Sequence, residues 1–407
     1  MRFLLVYPDW PRLEHQTLFH LPPHGPVVVG AALPGWVDVT FVDMNVQQIP
    51  WEEGWECVGV SIMLTAQIPA ALRVARHFRE RGVPVIFGGI SAMLHADELA
   101  PHCSSLFYGE AEGRLEAVFH DLERGRLKPR YDYDGNFPPM EAIGPARRSL
   151  LDYSCYQHKG LRTADLFHAS RGCRFNCAPC CTAYLGGRRF RPRPMERVAE
   201  ELATIDNDRL FIVDNSLAQD RDWEIELFTT MAPFKKRWCC HPIEDDDTVL
   251  RHAADAGAWY VYQAIFDTSD YIRRRIKRYR EHGIGVEGTI LLGLDDHSED
   301  SIRRLVDFLL EIDLDLAEFT VCTPFAGTPL RAQMEREGRM VTNDYSRYDC
   351  AHAVFTPRAM TPGRLEELYH WAWEYFYRER PQTLRMYRLF QKAMPAAPAR
   401  SQPDGVS

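Results

Sequence analysis

Three cysteines near the middle of the chain, Cys173, Cys177 and Cys180, are spaced as C-x3-C-x2-C. Three thiolates this close together repel one another, and a metal ion or an iron–sulfur cluster is the usual reason to gather them. A zinc site normally has four ligands in two pairs, and the second pair is missing here. The spacing therefore favours a cluster with three protein ligands, which leaves one iron open to a small molecule. The alternative is a ligand set shifted by one residue, so that its last cysteine is Cys181.

The composition is that of an ordinary globular chain, with 407 residues, 45% hydrophobic residues and a formal net charge of -9. The length is enough for two domains, and the acidic balance argues against a general nucleic-acid binder. The eleven cysteines are interpreted as metal ligands and buried thiols rather than as a disulfide framework. Pro8 and Asp9 end the first apolar run too early for a secretory signal, and no run is long enough for a transmembrane segment. A cytoplasmic protein is expected.

Residues 1–135 predict an α/β domain, because short β-branched runs alternate with helical segments and imply a parallel sheet covered on both faces. Strands are predicted over 3–7, 37–43, 57–63, 83–87 and 104–108, and helices over 26–33, 67–81 and 113–125. Ligands of such sheets bind at the carboxyl ends of the strands, where small residues let a large ligand approach the backbone. The contact residues predicted there are Asp9, Ser61, Met63, Thr65, Gly88, Gly89, Gly109 and Glu110.

Strand–helix alternation resumes over 163–342, after a proline-containing stretch of mixed charge at 136–162 that is typical of a linker. The cysteines follow the first strand of this second unit, as expected for a β/α barrel, whose chemistry lies in the loops after its strands. Four arginines follow the cysteines closely. They could contact an anionic substrate or belong to a solvated loop, and we favour the solvated loop. These residues are Arg188, Arg189, Arg191 and Arg193. Cys239, Cys240 and His241 lack a second ligand pair, so we favour ordinary strand-end residues over a metal site.

The cysteine spacing resembles that of the radical S-adenosylmethionine (SAM) superfamily. The order of the short N-terminal motifs is similar to the branch in which a cobalamin-binding domain precedes the SAM domain. These motifs are Tyr7-Pro8, Pro22-Pro23-His24-Gly25, Val42-Asp43, Ser61-Ile62-Met63, Gly88-Gly89 and Gly109-Glu110-Ala111-Glu112. Two later stretches also match, the glycine-framed strand around residues 287–296 and the Thr-Pro-x-x-Gly-Thr-x-Leu pattern that begins at Thr323. The resemblance covers most of residues 1–340.

The resemblance implies a Rossmann-like (flavodoxin-like) cobalamin-binding domain at 1–135 and a radical SAM partial (β/α)6 TIM-type barrel at 163–342. A small helical C-terminal region at 343–392, with an aromatic-rich core helix over 364–380, and a disordered tail at 393–407 complete the expected architecture. The [4Fe-4S] ligands become Cys173, Cys177 and Cys180, because the family does not use the spacing that Cys181 would give. SAM contacts are expected from Asp214, Asn215, Gln263, Asp267, Gly288, Ile290, Gly293 and Thr323.

Three departures from the family pattern qualify these expectations. Pro179 replaces the aromatic residue that usually precedes the third cysteine, and Gln263 or Asp267 has to stand in for a missing glutamate. The Asp-x-His-x-x-Gly motif that supplies a cobalt-ligating histidine elsewhere is absent from the sequence. Histidines that qualify as a lower ligand by residue type alone are His20, His24, His95 and His102, and each is more simply an ordinary loop or helix residue.

The activity that the resemblance implies is cleavage of SAM to a 5′-deoxyadenosyl radical, with methyl transfer from cobalamin to an unactivated carbon. An external electron donor such as flavodoxin or ferredoxin is expected. The rival is a radical oxidoreductase, cyclase or rearrangement enzyme without methyl transfer. A methylthiotransferase is rejected because only Cys57 and Cys103 lie in the N-terminal domain, and a cobalamin or iron–sulfur sensor is disfavoured by the complete barrel. A small, lipid-like or tetrapyrrole substrate would suit a pocket lined by Trp259, Tyr260, Tyr262, Phe319 and Phe325.

Overall fold

The structure is a computed structural model that describes residues 1–15, 19–175, 177, 179–182 and 186–393. The disordered tail predicted over 393–407 lies outside the described residues from 394 onward. Within the described part, no helix combines the length and apolar character that a membrane span requires.

The N-terminal part is built on a six-stranded parallel sheet with the strand order β2-β1-β3-β4-β5-β6. The strands are β1 Arg2–Tyr7, β2 Asp38–Asp43, β3 Cys57–Ser61, β4 Val85–Gly88, β5 Ser105–Tyr108 and β6 Arg130–Asp132. The five predicted strands are confirmed with ends shifted by one or two residues. The sixth, at the edge beside β5, falls at the end of the predicted domain and was not predicted as a strand.

Helices cover both faces of this sheet, as the alternation predicts. They are α1 His24–Ala32, α2 Ile68–Arg79, α3 Ile90–Leu94, α4 Ala96–Leu99 and α5 Leu115–Glu123. One apolar core lies on the side of α2, around Val58, Val60 and Phe78, and a second lies on the side of α5, around Phe3, Phe107 and Phe119. Since both faces of the strands are buried, their sequences are continuous apolar runs rather than alternating ones.

A second six-stranded parallel sheet follows, with the strand order β16-β15-β14-β13-β12-β9. Its strands are β9 Asp165–Phe167, β12 Arg209–Ile212, β13 Arg237–Cys240, β14 Ala258–Ala264, β15 Gly285–Leu292 and β16 Leu316–Val321. The order is sequential and the first and last strands are not neighbours, so the sheet forms a partial β/α barrel. A short hairpin, β7 Gln157–His158 with β8 Leu161–Arg162, precedes it.

Helices cover the barrel strands, most of them around one large core, whereas the helix Pro329–Arg336 contributes Met334 to a separate small cluster with Cys322 and Phe355. The helices are α6 Met195–Thr204, α7 Arg221–Met231, α8 Asp247–Asp255, α9 Asp270–Glu281, α10 Glu299–Glu311, α11 Pro329–Arg336, α12 Pro362–Tyr377 and α13 Gln382–Ala393. Several begin at a residue whose side chain accepts a hydrogen bond from the first helical turn, which satisfies an otherwise unpaired backbone donor. These N-caps are Asp220, Asp246, Ser269, Ser298, Thr328 and Thr361.

A buried ion-pair cluster joins the linker to the start of the barrel. Glu201 of α6, fully buried, accepts from Arg148 at 2.8 Å on one carboxylate oxygen and from the buried Arg193 on the other. Arg193 also donates to the backbone oxygens of His168 at 2.8 Å and Ile143 at 3.4 Å. The solvated-loop interpretation of Arg193 is therefore wrong, because its guanidinium holds three chain segments together.

We predict that Glu201→Gln destabilises the protein strongly, because it leaves two buried guanidinium groups without a counter-charge. Removing one partner of a buried ion pair costs about 3–5 kcal/mol. The matched control is Glu200→Gln, since Glu200 is exposed and pairs with Arg197 at 2.7 Å on the surface, where such a pair contributes about 1 kcal/mol or less. Urea unfolding followed by circular dichroism measures both, and equal transition midpoints would contradict the role given to Glu201.

Candidate functional site

The cysteine loop begins and ends at one place, at the carboxyl end of β9. A two-residue antiparallel ribbon, β10 Ser170–Arg171 with β11 Arg191–Pro192, closes the base of the loop. Gly172 follows β10 with a φ of +74°, and a Cβ there would lie 2.0 Å from the Arg189 carbonyl oxygen. Only glycine fits this close backbone crossing, so the chain enters the loop in a fixed direction one residue before Cys173.

The three predicted cluster ligands lie in one neighbourhood on this loop. Cys173, Cys177 and Cys180 are free thiols, and Cys177 and Cys180 are exposed. Burial, and next the nearby Cys180 and Cys173 thiols, raise the pKa of Cys177. The backbone N–H of Cys180 donates to the Cys177 carbonyl at 3.1 Å. The Cys177 thiol is influenced by both of the others, and three sulfur donors on one loop fit an iron–sulfur cluster, which relieves their repulsion as thiolates.

Gln219, on the loop after β12, contacts the cysteine loop and was missed by the sequence analysis. Its amide N–H donates to Cys173 Sγ at 3.3 Å, and its amide oxygen accepts from the Arg174 backbone N–H at 3.1 Å. The side chain is buried. A hydrogen bond to a cluster sulfur tunes the reduction potential of an iron–sulfur cluster. No motif marks this residue, and its position five residues after Asp214 is the only sequence signal.

Asp214, a predicted SAM contact, already has one hydrogen-bond donor on each carboxylate oxygen. One carboxylate oxygen accepts from the Ala169 backbone N–H at 2.8 Å, and the other accepts from the Ser170 hydroxyl. Burial raises the pKa of this carboxyl to about 6. Asp214 therefore fixes the end of β9 and the start of the cysteine loop relative to β12. Its neighbour Asn215 is exposed at the same edge and stays a predicted SAM contact.

The two stand-ins for the missing glutamate also have other roles in the structure. The amide oxygen of the buried Gln263 accepts from Arg275 Nε at 2.7 Å, and its N–H donates to the Ala264 carbonyl at 2.9 Å. Asp267 is exposed and accepts from the Ser269 backbone N–H at 2.9 Å, in the turn that leads into α9. These hydrogen bonds leave further capacity on the Gln263 amide and on the Asp267 carboxylate, so both stay predicted SAM contacts.

On the glycine-framed strand β15, the side chains that face the barrel interior are not those of the predicted SAM contacts Gly288 and Ile290. Ile290 lies fully buried in the outer core, and a Cβ on Gly288 would meet Leu314 and Ile265 there. Because side chains alternate along a strand, Glu287 and Thr289 face the inner side instead. The SAM contacts of Gly288 and Ile290 stay predictions, and they would involve the backbone of this strand.

The remaining predicted SAM contacts lie where two strands end. Gly293 follows β15 with a φ of +90°, and a Cβ there would approach Leu365 to 2.5 Å, so it allows both a turn and close helix packing. Thr323 follows β16, is buried, and donates from its hydroxyl to the Val321 carbonyl at 3.1 Å. Both stay predicted contacts at the carboxyl edge of the barrel.

The inner face of the barrel is aromatic and acidic rather than purely apolar. Tyr262 stacks on Phe211 with ring centroids 5.3 Å apart, and its hydroxyl lies 3.2 Å from that of Tyr260. Burial inside the barrel, and next the Glu318 carboxylate, raise the pKa of Glu287 to about 8. Phe319 was expected in this pocket, but it packs in the outer core against α12, because it alternates with Glu318.

Cys239 and Cys240 end β13 and His241 follows directly, and their interpretation as ordinary strand-end residues stays a prediction. Cys239 donates to the Leu210 carbonyl at 3.8 Å, and Cys240 is buried in the outer core. His241 lies against Phe211 and Tyr262, and burial lowers its pKa to about 4. His241 is therefore a neutral imidazole on the inner face.

The carboxyl edge of the N-terminal sheet forms a cradle for a ligand. Gly89 has a φ of +94°, and a Cβ there would lie 2.5 Å from the Ile62 carbonyl oxygen; Gly109, at a φ of +105°, is crowded by Tyr133 in the same way. Thr65 is buried, and its hydroxyl has no hydrogen-bond partner among the described residues. A buried, unpaired hydroxyl is costly unless a ligand satisfies it. The unpaired Thr65 hydroxyl is therefore the observation that favours a bound ligand here, since the chain itself fills the space beside Gly89 and Gly109.

The other predicted contacts at this edge differ in how much of each side chain remains available. Met63 is exposed, with its backbone N–H held by the Gln67 side chain at 2.8 Å. Asp9 forms a surface ion pair with Arg73 at 3.1 Å. Ser61 and Gly88, the last residues of β3 and β4, are half-buried neighbours in the sheet. These residues stay predicted contacts.

Glu110 differs from the rest of that set, because its carboxylate is occupied by the second domain. It pairs with Arg171 at 2.8 Å and with Arg191, while Arg171 also pairs with Glu112 at 2.5 Å. The ligand contact of Glu110 stays a prediction that its side chain does not support, whereas the solvated loop predicted for Arg191 is wrong. Arg171 and Arg191 are paired residues of the ribbon beneath the cysteine loop. The N-terminal sheet therefore holds the base of that loop directly.

A pair of histidines also crosses between the two parts. His24 Nε2 and His168 Nδ1 lie 2.6 Å apart, and burial lowers the pKa of His24 to about 3. This contact removes His24 from the candidate lower ligands of cobalamin. His95 is buried as well, with its ring 4.8 Å from that of Tyr345. Among the described residues, no contact of His20 or His102 favours either of them as a lower ligand of cobalamin.

Comparison with known proteins gives relatives along most of the chain. No protein-family profile matches it. The bacteriochlorophyllide d C-12(1)-methyltransferase of Chlorobaculum tepidum is 25% identical over 366 residues, or 84% of this chain and 79% of that protein. The anaerobic magnesium-protoporphyrin IX monomethyl ester cyclase of Cereibacter sphaeroides is 22% identical, over 90% of this chain and 68% of that protein.

A solved structure shares the arrangement of both sheets. The radical SAM methyltransferase TsrM from Kitasatospora setae, solved with cobalamin and a [4Fe-4S] cluster bound, superposes with a TM-score of 0.65 at 17% identity. The match covers 84% of this chain and 79% of that chain. Along most of its length the chain is therefore similar to proteins named as a methyltransferase and a cyclase, and it shares the fold of a radical SAM methyltransferase.

Proposed function

We propose that the protein is a radical SAM enzyme and a cobalamin-dependent C-methyltransferase that acts on an unactivated carbon. The observation that carries this proposal is the placement of three free cysteines on a closed loop at the carboxyl end of β9, next to the cradle of the N-terminal sheet. The relatives named as methyltransferases support methyl transfer.

Residues of the cysteine loop bind and orient the first cofactor. Cys173, Cys177 and Cys180 would hold a [4Fe-4S] cluster, which supplies the electron that cleaves SAM to a 5′-deoxyadenosyl radical. Gln219 donates a hydrogen bond to the first of these sulfurs. Cys177 and Cys180 are exposed, which suits electron delivery by an external flavodoxin or ferredoxin.

Residues at the carboxyl edge of the N-terminal sheet would bind the corrin cofactor. The Thr65 hydroxyl supplies an unused hydrogen-bonding group, and Gly89 and Gly109 allow the tight backbone turns that follow β4 and β5 at this edge. Cobalamin held there would supply the methyl group. A lower cobalt ligand from a histidine is not part of the proposal, since His24 and His95 are buried in other contacts.

The inner face of the barrel would bind the substrate. Phe211 and Tyr262 provide flat apolar surface, whereas the raised pKa of Glu287 makes a protonated carboxyl available as a hydrogen-bond donor at neutral pH. A small molecule with a planar or apolar body and polar substituents fits this combination, and tetrapyrroles belong to that class. We further propose that the protein acts in the cytoplasm.

The test of methyl transfer is product analysis. The anaerobically reconstituted enzyme is incubated with hydroxocobalamin, a reductant and SAM that carries a deuterated methyl group. The substrate is supplied by an extract of small molecules from cells that lack the gene. The proposal expects 5′-deoxyadenosine, S-adenosylhomocysteine and a labelled methyl group in one extract component. The cyclase relative supports the alternative of radical chemistry without methyl transfer. 5′-Deoxyadenosine without S-adenosylhomocysteine or labelled product would favour that alternative.

We predict that Cys177→Ala abolishes 5′-deoxyadenosine formation and lowers bound iron, because two thiolates cannot hold the cluster in the required state. Cys181→Ala is the matched control from the same loop and should retain both properties. Iron quantification and chromatography of the SAM products give the two readouts. An active Cys177→Ala enzyme, or an inactive Cys181→Ala enzyme, would contradict the ligand assignment.

We predict that Thr65→Val weakens cobalamin binding by about five- to tenfold, since one hydrogen bond contributes about 1 kcal/mol. The replacement keeps the shape of the side chain and removes only the unpaired hydroxyl. Thr229→Val is the control, because its exposed hydroxyl donates to the Ile225 carbonyl in α7, away from the sheet edge. Equilibrium dialysis with hydroxocobalamin measures the affinities, and an unchanged Thr65→Val affinity would remove Thr65 from the cofactor site.

A further inference from the structure

A group of metal-binding side chains lies outside the site described above, where the chain segment after β1 meets α12. The group consists of Glu14 and His15 on residues 9–15, which we call the N-terminal arm, and His370 on α12. His15 Nε2 lies 3.2 Å from His370 Nδ1, and Glu14 Oε2 lies 3.7 Å from the same His370 nitrogen. The three ligand atoms all lie within 4.8 Å of one another.

These distances fit a shared metal ion. Two imidazole nitrogens bound tetrahedrally to zinc at about 2.0–2.1 Å are separated by about 3.3 Å, close to the observed 3.2 Å. The carboxylate oxygen is a common third ligand in such sites. Glu374 stands four residues after His370 and lies on the same face of the helix, where it or water can complete the coordination.

Packing around His15 holds the site in place. Its ring stacks on Trp373 with centroids 5.0 Å apart and an angle of 12° between the planes, and it meets Tyr369 edge-on at 5.8 Å. Leu13, two residues earlier, packs against the barrel core. The imidazole is therefore oriented before any ion binds, which lowers the entropy cost of binding.

We propose that Glu14, His15 and His370 form a zinc-type metal site that fastens the N-terminal arm to α12. The arm leaves the carboxyl end of β1, where Trp10 donates from its backbone to Asn45 at 3.4 Å, and it reaches the helix that covers β16. An ion at this point links the N-terminal sheet to the outer layer of the barrel. Nitrogen ligands favour zinc, nickel, cobalt or copper over magnesium and calcium. The site is independent of the proposed function.

The test is zinc binding to the full-length, cluster-loaded protein by isothermal titration under anaerobic conditions, so that the loop cysteines are already occupied. One zinc ion per chain is expected, with at least tenfold weaker binding in His15→Ala and in His370→Ala. His120→Ala is the control: its imidazole lies 3.6 Å from Glu116 and 3.4 Å from Glu123 on the surface but has no second histidine. Wild-type affinity in His15→Ala and His370→Ala, or loss of zinc in His120→Ala, would overturn the assignment.

Hydrogen exchange supplies a second readout that is independent of enzyme activity. Zinc should slow amide exchange in the N-terminal arm of the wild-type protein and leave it unchanged in His370→Ala, whose exposed side chain is not needed for folding. Cobalt(II) in place of zinc should give the intense visible absorption of a tetrahedral site. Exchange that zinc slows equally in both proteins would place the ion elsewhere and overturn the proposal.

Discussion

The ion-pair network between Glu110, Glu112, Arg171 and Arg191 determines where the cysteine loop lies. Its two arginines face each other across the ribbon at the base of the loop, and its two glutamates come from the end of β5 in the other sheet. Buried charges of this kind are costly unless each is paired. The network therefore tolerates only one placement of the second domain against the first, and it fixes the loop from outside the barrel.

Inside the barrel, Asp214 and Gln219 complete the positioning of the same loop. Asp214 binds the end of β9, and Gln219 binds the first cysteine and the residue after it. Since Gly172 forces a sharp crossing between these two contacts, the loop is held on both sides of that crossing. Gln219 therefore positions the first of the three cysteines, and Asp214 positions the strand end from which the loop leaves.

The sequence predicted the two sheets well, because they depend on local patterns, and the cysteine ligand set, which also rests on a local pattern, stays a prediction. Strands of the N-terminal sheet are apolar runs such as that of residues 3–6, whereas β6 was missed because Arg130 and Asp132 flank a single apolar residue. The cysteine motif is contained within eight residues, so its spacing can be recognised from the sequence alone. The roles of Asp214, Gln263 and Glu110 depend on partners that the fold brings from elsewhere, and residue type alone could not identify those partners. On β15, side chains alternate between the two faces, so Glu287 faces the interior and Ile290, the predicted SAM contact, faces the outer core.

The buried contacts between the two sheets also affect whether the two domains can be separated or exchanged. Gene fusion and domain exchange usually succeed where few contacts cross a boundary. Here a barrel separated from its N-terminal sheet would expose Arg171, Arg191 and His168, all of which now have partners across the boundary. Exchanging the N-terminal sheet for that of a relative would require the same acidic pair at the end of β5. The two halves of this enzyme are therefore constrained to evolve as one unit, although each has a fold that exists alone in other proteins.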